Sequence, residues 1–297
     1  MTGRVLVVGD VVTDIVAVPS APLSSDSDTA ARIRTRPGGS AANTAVWAAY
    51  RGASVRMLGR VGADSVDWHY RHLAEHGVEP VLRVDTESPT AVVIALIAAD
   101  GERGMVTDRG AGAALGPSDW DDALLDDVAH VHLSGYLWFA EPGARLADRI
   151  LDTARRRGLS TSVDPASTGF LREHGVAEFL ARIRGTDLLF PNADEARLLS
   201  GHTDVDRAAA DLARHFGLVA VTLGADGALL AEGTSPPVRS VAPTVDVTDL
   251  VGAGDAFAGA FLAAWLAGAD PRAACEVACQ TGSMAVGCAG GRPPARG

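Results

Sequence analysis

Short apolar runs, each closing on a polar residue or a glycine, recur along this chain with helical patterns between them, and that alternation leaves few folds open. Val5–Val8, Val55–Leu58, Val128–Leu133, Leu188–Phe190 and Val219–Leu223 have the length and apolar content of buried strands, and Ser160–Val163, β-compatible though polar, reads as a further one. Ala41–Arg51, Ser65–His76, Ala144–Arg157, Ala193–Ser200 and Val205–Phe216 carry apolar residues at helical spacing. Parallel neighbours need a crossover, and a helix supplies it, so the fold class is α/β: a doubly wound, mostly parallel sheet flanked by helices. Ligands of such sheets sit beyond the carboxyl ends of the strands, which here run into Asp10, Asp164, Asn192 and Gly224. With 297 residues, 47% of them hydrophobic, the chain can bury a core of this kind, and residues 1–297 read as one domain.

Two stretches break the alternation. Residues 15–37 carry proline, serine and aspartate turns around Ala31–Arg34, and in residues 89–109 the run Thr90–Ala98 is almost wholly β-compatible. Both are expected outside the main sheet, as a small antiparallel β-strand lid with Asp100-Gly101 as a hairpin turn. An apolar outer face on that lid calls for cover, which predicts a homodimer through the lid. The tail Gly290–Gly297 is too rich in glycine and proline to expect structure.

The densest chemistry lies in Asp249-Leu250-Val251-Gly252-Ala253-Gly254-Asp255-Ala256-Phe257. Three small residues let successive backbone N–H groups converge, and a helix over Ala256–Ala267 adds its positive end, so the turn is an anion nest. Asp255, on the first turn of that helix, is placed to take a proton from an attacking hydroxyl while the nest holds a phosphoryl group. All 26 basic residues are arginine, so a Walker-A lysine, a Schiff base and a Ser-Lys dyad are excluded. A dinucleotide loop is also excluded, because Phe257 stands where Gly252-x-Gly254 needs its third glycine.

Composition removes further classes. A net charge of -11 opposes binding to nucleic acid or an anionic membrane surface. Met1-Thr2-Gly3-Arg4 runs straight into a strand, and no apolar stretch reaches the roughly 18 residues of a membrane span. The expectation is a soluble, cytoplasmic protein. Cys275, Cys279 and Cys288 suit a reducing compartment and read as packing residues. His72-Leu73-Ala74-Glu75-His76 matches a metalloprotease pattern by letter, but its polar neighbours make this a solvated helix.

At the first strand's end, Asp10 and Asp14 suit sugar hydroxyls, since an ionised carboxylate only accepts and each hydroxyl donates. Gly38-Gly39-Ser40-Ala41-Ala42-Asn43 is a second glycine turn opening a helix, where backbone amides and Asn43 could hold more hydroxyls.

The Gly38–Asn43 loop and the Gly252–Phe257 segment, in this order and separation, resemble the two signature regions of the ribokinase-like (PfkB) carbohydrate kinases. Gly59-Arg60-Val61-Gly62-Ala63-Asp64, His76-Gly77-Val78, Pro191-Asn192-Ala193-Asp194-Glu195 and Thr222-Leu223-Gly224-Ala225-Asp226-Gly227 extend the resemblance over almost the whole chain. It implies ATP-dependent phosphorylation of a hydroxyl on a sugar or sugar-like substrate. Asp255 matches the family's base, and Gly252, Ala253 and Gly254 its anion hole. Asp14, Gly38, Gly39 and Asn43 match substrate positions, with Asp10 where several members carry a polar contact. Asn192 and Glu195 match the motif that organises Mg²⁺ through water, and Thr222, Gly224 and Gly227 the loop beside the nucleotide. Asp249, the Val251 carbonyl and Gly290 fall where many members bind K⁺. Three departures stand out: Asp249-Leu250-Val251 lacks two hydroxyls, Asp164-Pro165-Ala166 lacks a third-position amide, and a usual glycine is replaced near Asp67.

Arg109, at the end of the second lid stretch, is positioned to meet a substrate carboxylate or the phosphoryl group. The leading expectation is a sugar kinase of ribokinase or fructokinase type. A nucleoside kinase, a keto-deoxy sugar acid kinase and a non-catalytic sugar-sensing protein are the alternatives.

Overall fold

A computed structural model describes residues 3–23, 25–97 and 103–294. The strands in chain order are β1 (Arg4–Val8), β2 (Val12–Pro19), β3 (Ala31–Gly38), β4 (Val55–Gly62), β5 (Val78–Asp85), β6 (Ala91–Ile97), β7 (Arg103–Asp108), β8 (Val128–Ser134), β9 (Ser160–Asp164), β10 (Leu188–Leu189), β11 (Leu218–Thr222), β12 (Ala228–Glu232) and β13 (Val238–Ser240). The helices are α1 (Ser40–Tyr50), α2 (Val66–Glu75), α3 (Glu141–Arg156), α4 (Thr168–His174), α5 (Val176–Arg182), α6 (Ala193–Ser200), α7 (Val205–Leu212), α8 (Ala253–Leu266) and α9 (Pro271–Val286).

The larger sheet has the order β13-β12-β11-β10-β9-β8-β1-β4-β5 and is parallel from β11 to β5, with β12 and β13 antiparallel at one edge. Its central strands are buried on both faces, and the polar side chains of β8 and β9 pair with each other there, His130 with Ser160 and Ser162 and His132 with Ser162. Leu6 and Val8 of β1 pack with Leu133 and Ile150, while Val5 and Val7 pack with Ala45 and Val46 of α1. The strand at Val78–Asp85 escapes the apolar-run criterion because Glu79 and Arg83 interrupt it, as an edge strand permits.

The smaller sheet has the order β3-β2-β6-β7. Its outer pairs are antiparallel, but the central pair β2/β6 is parallel, which corrects the expected all-antiparallel arrangement. The reason is in the connections: β2 leaves the end of β1 and β6 the end of β5, and those strands run in the same direction in the larger sheet. The expected turn Asp100-Gly101 lies outside the described residues. Register puts Asp14, Arg36, Val93 and Thr107 on one face, and Ile15, Ile33, Ile94 and Val106 on the other. Ile33 and Val106 are exposed there.

Two further expectations change. The described part of the tail is packed, not loose: Gly291, Arg292 and Pro293 are buried, although no helix or strand forms among the described residues there. Helix α2 is not solvated all round, because His69 and Leu73 turn inward, where His69 Nε2 meets Thr13 Oγ1 at 3.0 Å. Burial pushes the His69 imidazole down to about 4, which keeps it neutral.

Candidate active site

The carboxyl ends of β1, β9, β10 and β11 and the N-termini of α1 and α8 meet under the smaller sheet. Helix α8 lies hard against α1 because residue 259 is glycine: a Cβ there would come within 2.5 Å of the Thr44 carbonyl oxygen. That approach brings Asn43 of α1 to Asp255 of α8. Asn43 Nδ2 donates to Asp255 Oδ2 at 2.9 Å, and Ser40 Oγ donates to Oδ1 at 2.8 Å. Burial pushes the Asp255 carboxyl up to about 8; the Asn43 and Ser40 donors pull against that shift, and Asp164 and Asp10 add to it.

Directly before Asp255, Gly252 sits in the left-handed region at φ 78 as the N-cap of α8. The first amide bonded back into the turn is that of Ala256, to the Gly252 carbonyl at 2.8 Å. Helix geometry therefore leaves the N–H groups of Ala253, Gly254 and Asp255 for an anion. The expected base and nest are thus adjacent.

On one side of Asp255 lies a cavity of about 190 Å³ lined by Asp10, Asp14, Gly39, Ser40, Asn43 and Arg109, with an apolar wall of Val12, Ala91, Val93, Met105, Leu115 and Leu137. Asp14 accepts no hydrogen bond from any described residue, and its carboxyl is raised to about 6, chiefly by burial, with the Arg292 charge opposing. It is available to a hydroxyl. Gly38 faces it, and any Cβ at that residue would overlap the Asp14 carboxylate. Asp10 is used differently. Its Oδ2 accepts from Ser40 N at 2.6 Å, and its Oδ1 from Ser134 Oγ at 2.9 Å and Ala41 N at 3.3 Å, so it caps α1. Arg109 reaches the cavity, but its Nη1 and Nη2 each donate to a backbone carbonyl at 2.7 Å, those of Phe139 and Tyr136.

On the other side of Asp255, a cavity of about 350 Å³ is lined by Asp164, Asn192, Glu195, Thr222, Gly252 and Gly254. Asn192 and Glu195 form a reciprocal cap on α6: Asn192 Oδ1 accepts from Asp194 N and Glu195 N, and Glu195 Oε2 from Asn192 N, all at 2.9 Å. Burial raises Asp164 to about 8, with Glu195 adding to it, and burial raises Glu195 to about 7. Two buried carboxylates that resist ionising together suit a divalent cation with retained waters. Among the described residues no group of three or more His, Cys, Asp or Glu side chains is placed to hold a metal ion. A third cavity, about 260 Å³, follows along Thr222, Gly224, Gly227, Pro243, Val245 and Val286, without a charged side chain. Thr222, Gly254 and Phe257 line both.

Asp249 accepts from Val251 N and Gly290 N, both at 3.1 Å, and Arg36 Nη1 stands 3.9 Å from its Oδ2. The place expected for a monovalent cation thus already has a guanidinium beside its carboxylate.

Four residues that line or support the site were not singled out as site residues from sequence. Ser40 lay inside the glycine loop and Asp164 at a strand end, so position marked both. Tyr136 and Arg292 carry no sequence signal: one follows β8 in a short 3₁₀ turn, the other hides between two glycines and two prolines. The cysteines behave as packing residues, with Cys275 and Cys279 buried between α8 and α9. No helix among the described residues is long and apolar enough to cross a membrane.

The model of the pfkB family carbohydrate kinases matches residues 2–296. The chain is 32% identical over 294 residues to the ATP-dependent ribose-1-phosphate kinase of Halopiger xanaduensis, covering 97% of this chain and 94% of that protein. It is 30% identical to the 2-dehydro-3-deoxygluconokinase of Thermoproteus tenax, covering 85% and 80%. The crystal structure of adenosine kinase from Sinorhizobium meliloti superposes with a TM-score of 0.89 at 27% identity, covering 99% of this chain and 96% of that one. The fold is ribokinase-like, the activity is that of a phosphotransferase acting on a sugar hydroxyl, and the chain belongs to the pfkB family of carbohydrate kinases.

Proposed function

We propose that this protein uses ATP to phosphorylate a hydroxyl of a neutral sugar, with Asp255 as the general base. The observation that carries this reading is Asp255 itself: a part-buried carboxylate held by Ser40 and Asn43, directly after the Ala253-Gly254 amides, which lines both the cavity bearing Asp14 and the cavity bearing Asn192 and Glu195. The substrate O–H gives its proton to Asp255 as its oxygen bonds to the γ-phosphorus. The bond from that phosphorus to the β,γ-bridging oxygen breaks, and ADP leaves. Charge on the transferring oxygens falls on the nest and the α8 dipole.

Asp14 takes a substrate hydroxyl, with Gly38 and Gly39 giving the backbone room, and Asn43 serves base and substrate together. Thr222, Gly224 and Gly227 flank the nucleotide, whose base suits the uncharged third cavity. Asp164, Glu195 and Asn192 would hold Mg²⁺ through water and phosphate oxygens, where it neutralises charge on the phosphates. A monovalent cation fits poorly beside Asp249, because Arg36 supplies a positive charge there. The smaller sheet acts as the lid that excludes water, and its apolar outer face, with Ile33 and Val106 exposed, suits a homodimer. Its cytoplasmic placement follows from the same reading.

A second reading, a nucleoside, is favoured by the apolar wall of Val93, Met105, Leu115 and Leu137 opposite the acids, which suits the face of a base. An ADP-release panel over D-ribose, D-fructose, ribose-1-phosphate, 2-keto-3-deoxygluconate and adenosine tests both. Turnover of D-ribose or D-fructose supports the first and turnover of adenosine alone the second. Turnover confined to the phosphorylated or carboxylated sugars contradicts the neutral-substrate reading.

A further inference from the structure

The segment Gly290–Pro293 touches the active site from behind at four points. Gly290 N donates to Asp249 Oδ2 at 3.1 Å. The Gly291 carbonyl accepts from Trp47 Nε1 at 2.8 Å, and a Cβ on Gly291 would lie 2.5 Å from Asn43 Nδ2. The Pro293 carbonyl lies 3.3 Å from His76 Nε2. Between them Arg292, only 8% exposed, donates from Nε to Asn43 Oδ1 at 3.3 Å and from Nη2 to the Gly38 carbonyl at 3.2 Å. Its Nη1 is buried without a hydrogen-bond partner among the described residues.

Trp47 and the Gly290 amide also tie the tail down, and burying an arginine is costly unless its charge is used. The acids whose charges act on it are Asp14 and Asp255. Asn43 links the two charges: its Oδ1 accepts from Arg292 while its Nδ2 donates to Asp255 Oδ2 at 2.9 Å. Donation into the amide oxygen polarises the amide and strengthens the N–H it presents, and it fixes which end of the side chain faces the base.

We propose that Arg292 is a positioning residue for phosphoryl transfer, holding Asn43 against Asp255 and the Gly38 carbonyl in the substrate turn. This rests on Asp255 being the base. The test compares Arg292→Met, Arg292→Lys and Asp255→Asn, using ADP release with D-ribose and adenosine as probe acceptors, ADP binding by calorimetry, and thermal melting. Arg292→Met should keep its ADP affinity within about twofold and lose roughly 10- to 100-fold in kcat, the worth of one charged hydrogen bond acting on the transition state. Arg292→Lys, which can reach one of the two oxygens, should recover part of that loss. Wild-type kcat in both arginine variants, with Asp255→Asn inactive, overturns the inference and leaves the base intact. If Arg292→Met fails to fold, Arg292→Lys decides: a wild-type kcat there overturns the inference, and a reduced kcat with unchanged ADP binding supports it. An active Asp255→Asn overturns the underlying reading instead.

Discussion

Replacing Asn43 by alanine removes one of the two donors that oppose the effect of burial on Asp255. With the carboxyl raised to about 8 in the wild type, roughly a tenth of it is ionised at pH 7. A hydrogen bond to a charged group contributes about 1.5–3 kcal/mol, which corresponds to about 1–2 pKa units. The sign follows from what the bond favours. Asn43 Nδ2 stabilises the carboxylate, so its loss moves the titration upward. Because the base must be ionised, kcat/KM of the variant at pH 7 should fall roughly 10- to 100-fold, and the deficit should shrink as pH approaches the new midpoint. The assay is a pH series of kcat/KM by coupled ADP release, from pH 6 to 10. A wild-type midpoint in the variant, or a loss of equal size at every pH, refutes the assignment of Asn43 as the donor that tunes Asp255.

Gly252→Ala combines a positive φ with a Cβ 2.5 Å from the Gly291 Cα, so denaturant unfolding should show a loss of roughly 1–3 kcal/mol together with loss of turnover. Asp164→Asn removes a buried carboxylate whose folded pKa is raised. Such a group favours the fold below its unfolded value near 3.8 and loses that contribution as pH rises through about 8, so the variant should melt higher than wild type at pH 9 and require more Mg²⁺ for activity. Exchange of K⁺ for Na⁺ should leave kcat unchanged, because Arg36 already stands beside Asp249; activation by K⁺ in a salt series contradicts this.

The alternation of apolar runs and helices was enough to read most of the larger sheet, because β1, β4, β8 and β11 are largely buried and rich in apolar residues. Edge strands were not legible. β5 pays no penalty for Glu79 and Arg83, and β13 has only three residues, so neither produces an apolar run. Helix α9 was missed as well: Ala274, Cys275, Ala278 and Cys279 pack it in one core cluster with α8, and such small residues give weak periodicity. Local motifs flagged the Gly252–Asp255 turn, the Asn192–Glu195 pair and the Gly38–Asn43 turn, since each is contiguous in sequence, although the reciprocal cap that Asn192 and Glu195 form on α6 was not foreseen. Contacts across the chain were not legible. Ser40 and Asn43 lie more than two hundred residues from Asp255, and Arg292 nearly two hundred and fifty from Asn43. That Asp10 spends its oxygens capping α1 while Asp14 keeps its own free of protein donors is likewise a product of folding, for the two acids look alike as letters.

The most direct measurement is phosphoryl transfer by Asp255→Asn with the best acceptor of the panel, beside calorimetric binding of ADP. The amide keeps the shape and can still meet Ser40 and Asn43, but it cannot take the proton. The account predicts ADP affinity close to wild type and a loss of at least about 10²-fold in kcat, within the range for removing a general base. Near-normal kcat in that variant contradicts the account at its centre.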